Sequence, residues 1–303
     1  MNRLADIRET TGRKRLSRRA CAGRAPESSR AYGAQPERNR VLEEELASLR
    51  RQRDSLQRAL SDAAQVQRRL SGPRSLRRGD FEIVGENFAS QHVSGDLLTA
   101  FGLGERTVFA IGDICGKGLF AAMWFTHLAG MVRIFAGVCP DPAGIAAAIH
   151  NHLFSLQPEP PLATLFVGLL HAGTGELIYC NAGHPDPLWL RADGGCEQLS
   201  VGGPLLGALP AAVYLNGRIA LASGETLIAY SDGVVEQRNR SGEDFEPERL
   251  AMAARSAGGN SANSILFSVL GATQDFAAAQ PRLDDISLLV VHRRAREGAQ
   301  AAS

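Results

Sequence analysis

Long apolar runs and paired cysteines are both scarce in this 303-residue chain, and each scarcity narrows what it can do. The uncharged stretch from Gln198 to Gly217 contains Pro204, Pro210 and four glycines, so it cannot form a continuous spanning helix, and no transmembrane segment is expected. The Arg-rich N-terminus lacks the apolar centre of a secretory signal. Five cysteines, at 21, 115, 139, 180 and 196, are odd in number and contain no CxxC pair. No disulfide framework or zinc site is expected, and reduced thiols in a cytoplasm are the plain reading. No internal repeat is present. Neither a GxSxG elbow with triad partners nor a complete phosphate-cradling GxxxxGK[ST] loop occurs. In "GDICGKG" the position after the lysine is Gly118, where a Ser or Thr would be needed.

What is present is uneven. A hydrophobic content of 44% with 21% charged residues fits a soluble globular protein. The net charge of +1 conceals two different halves. Residues 1–80 carry 20 Lys and Arg against 10 Asp and Glu, whereas residues 81–303 carry 13 against 22. A basic leader of this kind suits nucleic acid, acidic lipid or an acidic partner, and simple solvation is the favoured reading. No nucleic-acid partner is expected, and the acidic remainder argues against such contact there.

Residues 1–38, with few large apolar side chains, are expected to be disordered. Between Val41 and Leu70 the residues Leu42, Leu46, Leu49, Leu56, Leu60, Ala63 and Leu70 recur at alternating three- and four-residue steps, with Arg53 and Gln67 at the remaining positions. That pattern predicts a coiled-coil helix over 39–72 and a homodimer through residues 41–70, against the alternative of one helix lying on its own domain. Ser71-Gly72-Pro73 ends it. From residue 81 short apolar or alternating runs follow one another: 81–86, 107–113, 163–170, 176–181, 187–191, 218–223, 226–232 and 286–292. Tight turns such as "HAGTGE" favour antiparallel hairpins. Helices are predicted over 119–136, 142–155, 247–256 and 261–275, the first apolar nearly all round and therefore packed on a sheet. Strands in hairpins with helices in blocks indicate an α+β fold.

Five acids share one local pattern, each ending an apolar run or adjoining a glycine: Asp96 in "VSGDLL", Asp113 in "AIGDICGKG", Asp232 in "AYSDGVVE", and Asp284 with Asp285 in "RLDDISLLVV". Any one of them could be an ordinary turn residue. Together they suggest strand ends that bring carboxylates to one edge, where buried, unpaired charge is costly and a divalent cation is the usual remedy. Carboxylates, carbonyls and water without a His or Cys set suit Mg²⁺ or Mn²⁺ better than zinc or copper. Asp113 is the candidate to bridge two ions, because the bare turn after it lets a cation approach the backbone, including the Ile114 carbonyl.

The motifs "SGD" (94–96), "GDICGKGLFAA" (112–122), "NAGHPDPL" (181–188), "GGPLLG" (202–207), "YSDGVVE" (230–236) and "DDISLLVV" (284–291) occur in that order. Together they resemble the bacterial PP2C-type serine/threonine phosphatases of the SpoIIE/RsbU group, in the PPM superfamily, over residues 80–292. The resemblance implies a PP2C-like β-sandwich of two antiparallel sheets flanked by helices (α/β/β/α) over 80–294, preceded by the coiled-coil helix and followed by a disordered tail, 295–303. It implies two divalent cations, Mn²⁺ or Mg²⁺, and a water activated by both that attacks phosphoserine or phosphothreonine on a regulatory partner of the anti-sigma-factor antagonist type. Carried over by position, Asp113 would bridge the ions and Ile114 would offer its carbonyl. Asp232 and Asp284 would bind the second ion and Asp96 the first, with Asp285 beside the ligand position and the choice between 284 and 285 open. Lys117, Gly116 and Gly118 are candidate contacts for the substrate phosphate. Cys115 stands where eukaryotic relatives carry a histidine proposed as general acid. The alternative is a catalytically inactive module of the same fold that binds a phosphorylated partner.

Overall fold

The structure, a computed structural model, describes residues 28–72, 74–157, 159–258, 261–278, 280 and 284–295. Residues 1–27 of the expected leader and 296–303 of the expected tail lie outside them. The chain divides into two compact units, one ending at Ser55 and the other running from Leu56 onward. Helix α1 (Ser28–Leu70) begins about ten residues before the expected start, so residues 28–38 are helical. In its first-unit portion Val41, Leu42, Leu46 and Leu49 are exposed.

The second unit contains β1 (Ser75–Arg78), β2 (Phe81–Phe88), β3 (Leu97–Leu103), β4 (Arg106–Ile114), α2 (Leu119–Val138), α3 (Pro142–Leu156), β5 (Ala163–His171) and β6 (Glu176–Ala182). It continues with β7 (Leu188–Leu190), β8 (Cys196–Gln198), β9 (Gly202–Gly203), β10 (Gly217–Ala220), β11 (Thr226–Tyr230), α4 (Asp232–Val235), α5 (Glu246–Ser256), α6 (Ala262–Ala277) and β12 (Ile286–Arg293). One sheet has the order β1-β2-β12-β11-β7-β8 and the other β10-β6-β5-β4-β3, with β9 pairing parallel to β6 and all other pairings antiparallel.

Side-chain alternation builds the layers. Along β4, Phe109 and Ile111 enter the core between the sheets, while Val108 and Ala110 face α2 and α3. Along β12, Leu289 and Val291 enter the same inner core, while Leu288 and Val290 face α5 and α6. Both faces of each strand are buried, which is why these segments read as continuous apolar runs. The expected α/β/β/α sandwich is thus the observed one. Strands β1, β3, β8 and β9 are additions to the sequence reading.

Helix α2 also corrects the membrane test. It is long and apolar enough to span a membrane by length and composition, with a mean hydropathy of 1.4, whereas the stretch 198–217 contains no helix. Ala121, Phe125, Leu128, Ala129 and Val132 bury one side of it in the core beside the sheet, as expected of a core helix. The described cysteines 115, 139, 180 and 196 are free thiols.

Candidate metal centre

Strand register brings the acids together. Gly112 on β4 lies opposite Leu97, the first residue of β3, so Asp113 ends one strand where Asp96 leads into the next. In the other sheet Tyr230, the last residue of β11, lies opposite Leu288 near the start of β12, so Asp232 and the Asp284-Asp285 pair emerge at one end. Asp113 continues the inner-face parity of Phe109 and Ile111, so its carboxylate leaves the sandwich at the open rim.

Electrostatics confirms the proximity. Burial, then the charge of Asp232, raises Asp113 to about 6, with Asp284 adding to the repulsion and Asp96 placed to donate a hydrogen bond to it. Asp96 is almost fully buried. Its carboxyl is held well above the usual range by burial and by the charges of Asp113 and Asp285, against hydrogen bonds from Ser287 and Ser231. Burial also raises Asp232.

Asp284 and Asp285 are adjacent but differ in their contacts. Asp284 Oδ2 accepts from Lys117 Nζ at 2.9 Å. Asp285 accepts from the Ser90 amide (2.7 Å) through Oδ1, and from the Ser94 hydroxyl (2.7 Å) and Gly95 amide (2.8 Å) through Oδ2. Asp285 is thus occupied in fastening the loop that carries Asp96. A cavity of about 100 Å³ is lined by Gly95, Asp113, Gly116, Lys117, Gly118, Asp284 and Asp285, among others. Gly116 and Gly118 adopt φ values of 133° and 68°, which favour glycine and explain the bare turn around Lys117.

Several residues in this network were not singled out from the sequence. Asn87 Nδ2 donates to Ser94 Oγ, the Asp96 carbonyl and Ser287 Oγ. Thr164 Oγ1 accepts from the Asp113 amide and pairs with His184 Nδ1, whose imidazole burial pushes down to about 3. The backbone amide of His184 donates to Asn181 Oδ1 at 2.8 Å. Asp186 Oδ1 accepts from Asn181 Nδ2 at 2.9 Å. Partners such as Asn87 and Ser287 are 200 residues apart, so no local pattern announces them.

Among the described residues, no group of three or more His, Cys, Asp or Glu forms a ready-made coordination set. Three observations nevertheless fit oxygen-ligated divalent cations. Asp96 Oδ2 is buried without a hydrogen-bond partner. A Cβ on Gly95 would stand 3.5 Å from Asp113 Oδ1 and 3.7 Å from the Ile114 carbonyl oxygen, so the missing side chain leaves a cradle beside both oxygens. The Lys117 ammonium already supplies a positive charge to Asp284. Asp96, Asp113, Asp232, Asp284 and the Ile114 carbonyl could therefore hold such ions.

Comparison with known proteins agrees with the geometry. The family profile described as Stage II sporulation protein E (SpoIIE) matches residues 104–294. Protein IcfG of Synechocystis is 28% identical over 232 residues, covering 67% of this chain and 36% of IcfG, so the chain spans about a third of that relative. Phosphoserine phosphatase RsbU of Bacillus subtilis is 24% identical over 263 residues, covering 83% of this chain and 75% of RsbU. Of the solved structures, the SiaA PP2C domain of Pseudomonas aeruginosa superposes with a TM-score of 0.68 at 17% identity, covering 79% of this chain and 98% of that domain. The catalytic domain of the protein phosphatase PstP, solved with two manganese ions, gives 0.52 at 13%, covering 70% of this chain and 97% of that one. With a profile spanning most of the sandwich and its acids at one rim, the chain belongs to the SpoIIE family of PP2C-type phosphatase domains.

Proposed function

We propose that the chain is a metal-dependent protein serine/threonine phosphatase using two divalent cations, Mn²⁺ or Mg²⁺. The observation that supports this reading is the buried, unpartnered Asp96 Oδ2 beside Asp113, with burial and neighbouring carboxylates raising Asp96, Asp113 and Asp232 above their ordinary range. Acids kept together at such a cost are explained by a cation that neutralises them. Asp113 would serve both ions, with the Ile114 carbonyl and Asp96 on one side and Asp232 and Asp284 on the other. When bound, the ions supply a lowered water pKa and charge stabilisation for in-line displacement at phosphorus.

This chain's own groups do the rest. Asp285 fastens the Asp96 loop through Ser90, Ser94 and Gly95 and is assigned to positioning, leaving Asp284 as the direct ligand. Gly116, Lys117 and Gly118 line the cavity, and Lys117 released from Asp284 would present its ammonium to the substrate phosphate. The substrate is assigned as phosphoserine or phosphothreonine on a regulatory partner of the anti-sigma-factor antagonist type, the class that the motif resemblance implies; the similar RsbU is a phosphoserine phosphatase.

The domain layout we infer is a basic leader, a coiled-coil helix and a phosphatase domain over 80–294. The exposed Val41, Leu42, Leu46, Leu49 and Leu56 support a homodimer through that part of α1. The seam does not serve a partner over its whole expected length. Ala63, Ala64 and Leu70 pack against the chain's own domain.

One assay tests the function. Turnover of p-nitrophenyl phosphate and of candidate phosphoproteins is measured with Mn²⁺, Mg²⁺ or chelator, for wild type and Asp113→Asn. Manganese-dependent turnover lost in the variant is the expected result. Binding of a phosphoprotein without turnover would replace the enzyme with an inactive binding module.

A further inference from the structure

Gln67 is one of two polar residues in the seam of α1, with Arg53, and its surroundings explain its presence. It lies near the C-terminus of α1, outside the segment matched by the family profile, and is only 8% exposed. Its amide oxygen accepts from the Ser94 amide at 3.1 Å, and its amide nitrogen donates to the Ser94 carbonyl at 2.9 Å. The same nitrogen donates to the Ala122 carbonyl on α2 at 3.3 Å. One side chain therefore satisfies both peptide groups of Ser94 and reaches the first turns of α2.

Ser94 and Ala122 are each one residue along from Gly95 and Ala121, whose close approach borders the metal cradle. A Cβ on Gly95 would be 3.0 Å from the Ala121 Cβ. Ser94 is also tied through its hydroxyl to Asp285 and accepts from the Asp96 amide at 3.1 Å. The position of Asp96 therefore depends on two sets of anchors on Ser94: Asp285 and Asn87 on the hydroxyl, and Gln67 on the backbone. Only an amide fits the second role. A glutamate carboxylate would face two carbonyls with no proton to give, and a leucine or methionine would leave the buried Ser94 N–H and C=O unpaired.

We propose that Gln67 is a positioning residue of the catalytic centre, holding the Asp96 loop and the start of α2 at the separation that the metal cradle requires. This rests on the phosphatase reading above. It adds a residue from the N-terminal helix to a site otherwise built within the sandwich.

The test uses the full-length chain and direct titration with Mn²⁺ by calorimetry, a readout independent of turnover. Gln67→Met keeps the volume and removes the hydrogen bonds. Leu70→Ala loosens the packing of the same helix end without touching Ser94. The expected result is Mn²⁺ affinity about 10- to 100-fold weaker in Gln67→Met, the range known for residues that orient ligands. At saturating Mn²⁺ its kcat falls while KM for p-nitrophenyl phosphate holds, and Leu70→Ala lowers the melting temperature with near wild-type Mn²⁺ affinity. Equal Mn²⁺ affinity in Gln67→Met and wild type overturns the proposal while leaving the phosphatase reading intact. Equal weakening in Gln67→Met and Leu70→Ala overturns it as well. Failure of the wild type itself to bind Mn²⁺ takes down both readings. Should Gln67→Met not fold, hydrogen exchange in the wild type decides. A Ser94 amide protected like those of β3 supports the proposal, and one exchanging at the rate of a free loop refutes it.

Discussion

Between the two sheets, Phe166 sits fully buried with its ring 5.6 Å from Tyr179 and 6.4 Å from Phe109, in a layer closed by Leu227, Leu289 and Val291. A few residues further along the same strands, Asp113 and its neighbours crowd like charges into a half-buried rim. The core gains from every group it buries. The rim crowds like charges that Lys117 and the Ser231 and Ser287 hydroxyls offset only in part, and on the reading proposed above its carboxylates serve a cation rather than the fold. Stability and function are thus separated along a single strand, β4, within the distance from Phe109 to Asp113.

Truncation in the core gives the largest expected effect. Phe166→Ala should cost about 3–5 kcal/mol in urea unfolding and lower metal-free and metal-loaded stability alike. Equal stability of this variant and the wild type would show that the stacked layer does not hold the sheets.

Next is Asp113→Asn, which should lower manganese-dependent turnover on the order of 10²-fold or more, by the measure of residues that support metal sites. In chelator the same variant should melt above the wild type, because it removes one of the repelling charges. Loss of both activity and metal-free stability would contradict the comparison between rim and core.

A smaller effect is the pH dependence of that stability difference. Asp113 is raised to about 6 in the folded chain from a reference value of 3.8, so the folded state holds a proton that the unfolded state has released. Stability from this group is fully present below about pH 3.8 and is lost as pH rises through 6. His184, lowered to about 3, works with the opposite sign, since its contribution is present above 6.5 and falls as the solution is acidified. Comparing wild type with Asp113→Asn in chelator cancels the histidine. The variant's advantage should open between pH 4 and 6.5 and reach no more than about 3 kcal/mol, the free energy of a shift this large, reduced by partial exposure. A gap that narrows over that range would reverse the assignment.

The smallest effect concerns the exposed leucines, the counterpart of the core on α1. Leu46→Gln with Leu49→Gln should change the melting of the phosphatase domain by no more than about 0.5 kcal/mol, as for exposed sites. It should also shift the full-length chain toward monomer in sedimentation. An unchanged dimer would place self-association elsewhere.

Much of this arrangement was legible because β4, β11 and β12 are apolar on both faces and bounded by acids, Asp113 near the end of β4, Asp232 just after β11 and Asp284 with Asp285 just before β12, so their ends announce themselves in the residue order. Strand β3 was missed because "LLTAFGL" mixes small and large residues without strict alternation. The seam of α1 was read as one surface, yet its leucines up to Leu56 are exposed while Ala64 and Gln67 are buried against the sandwich. A heptad shows that one face of a helix is apolar. It carries no information on which surface covers that face.

The amino-acid order alone determined which segments become strands and helices and which acids end them, since periodicity and chain-terminating residues act over a few positions. Only the tertiary structure decided that Asp285 fastens a loop while Asp284 pairs with Lys117, and that Gln67 reaches Ser94. Those choices depend on hydrogen-bond distances between residues tens to hundreds of positions apart, which are set when the two sheets and their helices pack together.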